Sequence, residues 1–228
     1  MLAASTGGSE QVSTMPTRTW EGMTIPSPGV YRLDQAHKRV GFLARHMMVS
    51  PVRGEFREAS AQIVVADDPL ASSVSATIHT ASLTTHNPDR DVHLTSPDFL
   101  DVVRFPTMEY RSNGMTWKGA DDPIFQWARL RNNKLNRRAT VPEPARGPVR
   151  FVLHGHLTVR DVTRPVDLQV DFGGARRDPY GQDIFGFSAS AEIEREDYGL
   201  LWNVTLESGG VLVGKTVHIE IAGEALRA

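Results

Sequence analysis

No cysteine occurs among the 228 residues, which excludes thiol catalysis, thiolate metal sites, iron–sulfur clusters and disulfides, so the fold needs no covalent cross-link. An excess of positive charge is also missing. The formal net charge of -2 argues against a general nucleic-acid binder, which needs Lys and Arg in clear surplus to neutralise phosphates. No apolar run reaches the roughly 20 residues of a membrane-spanning helix. Residues 1–28, rich in Ala, Ser, Thr and Gly, lack the basic start and apolar stretch of an export signal. They are expected to form a flexible N-terminal tail on a cytoplasmic protein. Nucleophile elbow, phosphate loop, paired-acid motif and zinc signature are all absent, which speaks against catalysis.

What the chain does have is alternation. Apolar residues recur at every second position in Val40, Phe42 and Ala44; in Val74, Ala76 and Ile78; and in Phe151, Leu153, Gly155 and Leu157. The same period runs through Val166 to Phe172, Phe185 to Ile193, and Val217 to Ile221. A period of two describes strands with one buried face. Turn signals at Asp67-Asp68-Pro69, Gly173-Gly174, Asp178-Pro179-Tyr180-Gly181 and Ser208-Gly209-Gly210 separate them. With many strands and no βαβ alternation, the class is all-β and antiparallel, and closure into a barrel removes exposed edges. With 40% hydrophobic residues, one domain over 29–228 can bury a full core.

Between Thr84 and Pro106 the pattern changes. Asn87-Pro88 and Ser96-Pro97 each set a capping side chain before a proline, predicting two short helices. The first carries Arg90, Asp91, His93 and Leu94, and the second Phe99, Leu100, Val102 and Val103. A polar cluster on short helices in a strand-rich chain belongs at a rim.

The series Tyr31-Arg-Leu-Asp34, His37, Phe42, His46, Gly54-Glu-Phe56, Thr84, Arg90-Asp91-Val-His93-Leu94, Asp98-Phe99, Phe105-Pro106, Gly155-His-Leu157-Thr158, Val162-Thr163-Arg164-Pro165-Val166 and Arg195-Glu-Asp197-Tyr198-Gly199 resembles the YceI-like family of polyisoprenoid-binding proteins. Order and spacing carry the resemblance, from about Gly29 to Glu224. It implies an extended eight-stranded antiparallel lipocalin-like barrel with short helices at its mouth and an apolar tunnel for an isoprenoid lipid, either a polyprenyl phosphate or pyrophosphate or an isoprenoid quinone. No cofactor is required. A homodimer paired through an outer sheet face is one assembly the resemblance allows. The expected ligand-binding residues are Phe42, His46, Arg90, Asp91, His93 and Phe99. Arg90 and Asp91 either orient a headgroup or stabilise the helix start; His93 either donates to a headgroup oxygen or is a satisfied rim histidine. The alternative function is an acid–base enzyme using His46, His93 and Asp91 on a prenyl or hydrophobic ester substrate. A stress-linked binding module is a third.

Three further readings concern charge. A basic insertion from about Thr116 to Pro148, with Lys118, Arg129, Arg131, Lys134, Arg137, Arg138 and Arg146 among Trp117, Phe125 and Trp127, is either a solvated hairpin or a flap for peripheral contact with an anionic membrane. Arg195 and Asp197 are read as an ion pair closing the barrel. By parity His154 and His156 lie on an outer face, whereas His46 shares the inward face of Phe42 and Ala44. Nothing completes a metal site around any of them.

Overall fold

The computed structural model describes residues 16–47, 49–119, 149–205 and 212–228. Its strands are β1 (Thr17–Trp20), β2 (Met23–Pro26), β3 (Gly29–His46), β4 (Ser50–Phe56), β5 (Ala59–Val65), β6 (Ser73–His79) and β7 (Leu83–Thr84), followed by helix α1 (Pro88–Thr95). Then come β8 (Thr107–Gly119), β9 (Val149–Val159), β10 (Val162–Pro165), β11 (Leu168–Arg177), β12 (Asp183–Glu194) and β13 (Val213–Arg227). Eight of them, in the order β3, β5, β6, β8, β9, β11, β12 and β13, form an antiparallel ring closed by pairing of β13 with β3. The expected eight-stranded barrel is thus the architecture observed. Closure leaves no free edge in the ring. Strand β3, 18 residues long, pairs with β5 through Gly29–Arg32 and with β4 through Gly41–His46, so it serves both halves of the barrel.

Alternation sets the faces. Val40, Phe42 and Ala44, Val74, Ala76 and Ile78, and the Val166–Phe172 and Val217–Ile221 series all point into one interior. Two apolar clusters fill the barrel along its length, one around Leu153, Leu168 and Tyr198, the other around Tyr31, Ile63 and Phe185, with Val74 packed against both. Gly155 interrupts its own series because Tyr110 crosses there: a Cβ at this glycine would lie 2.5 Å from the phenol oxygen. That hydroxyl donates to the carbonyls of Leu153 and Val166 at 2.9 and 3.2 Å.

Three expectations are corrected. The stretch read as a flexible tail includes the β1–β2 hairpin, which closes one end of the barrel: Met23 and Ile25 are buried, and Trp20 packs against Trp117 and Phe151 at 5.2 and 6.2 Å. The apolar content of Trp20, Met23 and Ile25 outweighs the polar composition around them; residues 1–15 lie outside the described part. The insertion begins later than expected, since β8 continues to Gly119 with Thr116 opposite Val152 and Trp117 opposite Phe151. Its basic remainder, residues 120–148, lies outside the described residues. Only the first of the two predicted helices forms. Asn87 caps α1 by accepting from the Arg90 amide at 3.1 Å with Pro88 in the first turn, but the chain from Ser96 to Phe105 is a succession of turns. Asp101 there has φ +47°, a left-handed conformation that no helix continues through. Phe99 and Leu100 are buried while Val103 is 91% exposed, so the segment has no helical stripe.

Candidate functional site

The barrel encloses a cavity of about 360 Å³. It extends from Ile25 and Pro26 of the closing hairpin to Leu94, Phe99, Leu200 and Val213 at the other end. Among the described residues its wall holds no Asp, Glu, His, Lys or Cys. Polar atoms reach the wall through Ser60, Ser72, Tyr110, Arg195 and Tyr198, and the first three are either small or, for Tyr110, already bonded to backbone.

Arg195 and Tyr198 differ. Both stand on the 3-10 turn Arg195–Tyr198 that follows β12, and they are only 3% and 2% exposed. The Arg195 guanidinium donates through Nε to the Gly214 carbonyl at 3.0 Å and through Nη1 to that of Leu200, leaving Nη2 without a partner. The Tyr198 hydroxyl is also unpartnered. Burial lowers the Arg195 pKa, opposed by the Glu196 charge, and raises that of the Tyr198 phenol to about 12. The expected Arg195–Asp197 ion pair does not form: Asp197 is exposed, and its carbonyl accepts from Arg164 Nε at 3.2 Å. The reading failed because a helical turn, not a strand end, separates the two residues.

Of the six residues expected to bind ligand, Phe42 and Phe99 line the cavity and four do not. His46 follows the inward parity of β3 but lies one step beyond Ala44, the last lining position, where β3 turns into the hairpin to β4. Arg90 and Asp91 are spent on one loop. Arg90 donates to Thr85 Oγ1 at 2.7 Å and to the Thr85 carbonyl at 3.0 Å. Asp91 accepts from the Thr85 amide at 2.8 Å, from the Thr85 hydroxyl, and from Thr84 Oγ1 at 3.1 Å. Partial burial raises the Asp91 pKa, yet these bonds and the Arg90 charge outweigh it and hold the carboxyl below its ordinary value. His93 backs the wall from outside, edge-on to Phe99 at 5.0 Å and Trp202 at 4.4 Å, with Nε2 3.2 Å from Asp98. His154 and His156 sit on the outer face; His154 bonds Asp167 and Thr116.

Sequence reasoning missed the lining residues of β5 and β8, such as Ile63, Val65, Met108 and Met115, and it read Arg195 as half of an ion pair rather than as part of the cavity wall. The signal for Arg195 was present: two residues past Ile193, it continues the inward series of Phe185, Phe187, Ala189 and Ala191. Nor was a surface cluster foreseen in which Asp34, His37 and Glu224 bring ligand-competent atoms within 4.8 Å of one another. There His37 Nδ1 lies 2.6 Å from Asp34 Oδ2, which raises the His37 pKa and lowers that of Asp34.

A closed antiparallel ring around an apolar cavity defines a lipocalin-like barrel. The chain belongs to the YceI-like family, whose domain model matches residues 31–225. A UPF0312 protein of Staphylococcus epidermidis is 31% identical over 201 residues, covering 85% of this chain and 95% of the relative. A UPF0312 protein of Staphylococcus aureus is 28% identical over 196 residues with the same coverage. Among solved structures, Burkholderia cenocepacia BcnA superposes with a TM-score of 0.61 at 17% identity, covering 84% of this chain and 98% of that one. A polyisoprenoid-binding domain from Saccharophagus degradans superposes with a TM-score of 0.57 at 11% identity, covering 89% and 100%. These structural likenesses establish the fold. Among the described residues, no helix is long and apolar enough to cross a membrane.

Proposed function

We propose that this protein binds an isoprenoid lipid in its barrel and carries or stores it chemically unchanged. The observation that bears most weight is the cavity wall, aliphatic and aromatic from the closing hairpin to Val213. A branched hydrocarbon chain gains there about 0.8 kcal/mol per methylene removed from water, offset by the entropy of ordering a flexible tail. The name of the Saccharophagus degradans domain, a polyisoprenoid binder, supports the same ligand class. The non-catalytic reading draws on the same wall. An acid–base reaction near neutral pH needs a group that titrates near neutrality within reach of substrate, and the described lining offers neither carboxylate nor imidazole. A Tyr198 phenol at about 12 is no base at that pH.

Denaturing extraction of freshly purified protein followed by lipid mass spectrometry is expected to release an isoprenoid in near-stoichiometric amount. Protein that yields none, and that also ignores added prenyl phosphate and quinone, would refute the reading.

A further inference from the structure

We propose that Arg195 and Tyr198 anchor the ligand's head, and that the head they select is an anionic oxygen group such as a prenyl phosphate, in preference to a neutral alcohol or quinone. The inference rests on the isoprenoid reading and adds to it where the head goes and what charge it bears.

The argument starts from pairing. Buried donors in folded proteins almost always have acceptors, because an unmet one forfeits its hydration without return. Two such donors, Arg195 Nη2 and Tyr198 Oη, occur here on a single short turn, and both residues line the same cavity. The turn is well held: Gly199 caps it at φ +73°, its amide donates to the Glu196 carbonyl at 3.0 Å, and the Leu200 amide donates to that of Arg195 at 3.2 Å. Tyr110, in the same wall, shows the ordinary arrangement, its hydroxyl bonded to two carbonyls. The Arg195–Tyr198 pair therefore looks for acceptors from outside the chain.

Charge decides which acceptor. Arg195 is bonded to two backbone carbonyls and to no carboxylate among the described residues. Glu196 acts on Arg195 only through its charge and pairs with Lys215 at 3.1 Å, and Asp197 is exposed. A cation in an apolar wall is costly unless an anion meets it, and charge-assisted bonds to phosphate oxygens are about twice as strong as neutral ones. A quinone or alcohol oxygen can accept the same hydrogen bonds but brings no negative charge to the guanidinium. Both donor atoms are covered, and their residues stand in the cavity wall.

The test uses delipidated full-length protein with geranylgeranyl phosphate and geranylgeraniol, which share one tail and differ only in the head, and with an isoprenoid quinone. The parent is expected to bind the phosphate at least about tenfold more tightly than the alcohol or the quinone. Tyr198→Phe and Arg195→Lys should each reduce that preference several-fold, weakening the phosphate more than the alcohol. Tyr198→Phe should also melt no lower than the parent when empty, since it deletes an unmet hydroxyl; this separates loss of an anchor from loss of fold, whatever Arg195→Lys does to stability. Equal affinity of the parent for the three ligands overturns the anchor while leaving the isoprenoid reading intact, as does a preference unchanged in both variants. Failure to bind any of them overturns both.

Discussion

At the scale of single residues, the barrel is constrained most tightly where two side chains want the same space. Gly155 yields to Tyr110, and a methyl group there would also meet the Arg111 carbonyl at 2.6 Å. Gly155→Ala is therefore expected to destabilise the protein by about 1–3 kcal/mol through overpacking, seen as a lower denaturation midpoint with an unchanged slope. Asp91 is constrained electrostatically. Its carboxylate form is favoured by the Thr84, Thr85 and Arg90 contacts, so its folded pKa lies below the unfolded one. The stability it lends is then complete above the unfolded value of about 3.9 and is lost as pH falls through the depressed native value. Asp91→Asn should be less stable at pH 7 by about 1–3 kcal/mol and show a flatter acid limb than the parent, measured by denaturant melts from pH 7 to pH 3. Arg90 and Asp91 were expected either to orient a headgroup or to serve the helix start, and contact geometry ties both to the loop before that helix. The sequence shows which residues sit near the mouth but not which backbone groups they meet, and here Thr85 takes both.

Element by element, legibility followed burial. The strands with strong alternation, such as Val40 to Ala44 and Val217 to Ile221, could be read together with their facing, because a half-buried strand writes its period directly. The Ala59–Val65 strand is too rich in Ala to stand out, although its odd-numbered residues line the cavity. Local capping signals were reliable at Asn87 and misleading at Ser96, where tertiary burial of Phe99 and Leu100 overrode helix propensity. The β1–β2 hairpin is the least legible element, since four-residue strands carry almost no periodicity and this pair is held by packing on distant parts of the chain. Trp20 supplies two aromatic contacts to β8 and β9, each worth about 0.5–1.5 kcal/mol beyond area. Trp20→Ala is expected to unlatch Thr17–Pro26 locally, with faster amide exchange confined to the hairpin and increased binding of a fluorescent apolar dye, while the ring strands keep their protection.

For the molecule as a whole, the seam between β3 and β13 is the pairing with the greatest separation in sequence, joining Tyr31 to Arg227 and His46 to Val213. The Ala228 amide donates to the Val30 carbonyl at 2.9 Å, Arg227 Nη2 to that of Pro28 at 3.0 Å, and the Ser27 amide to that of Pro16 at 3.2 Å. Pro16 and Ala228 thus lie beside the same short stretch of backbone. Seen as connectivity, the ring has no intrinsic starting strand: the order of its strands around the cavity is a closed loop, and where the chain is opened is a covalent detail. A circular permutant that joins Ala228 to Pro16 through a short Gly-Ser linker and places its new ends within residues 120–148 is expected to show the parent's circular dichroism and to retain lipid. In such a chain β8 and β9 would stand at opposite ends of the sequence yet remain neighbours in the wall, and the β3–β13 seam would become a local hairpin-like contact.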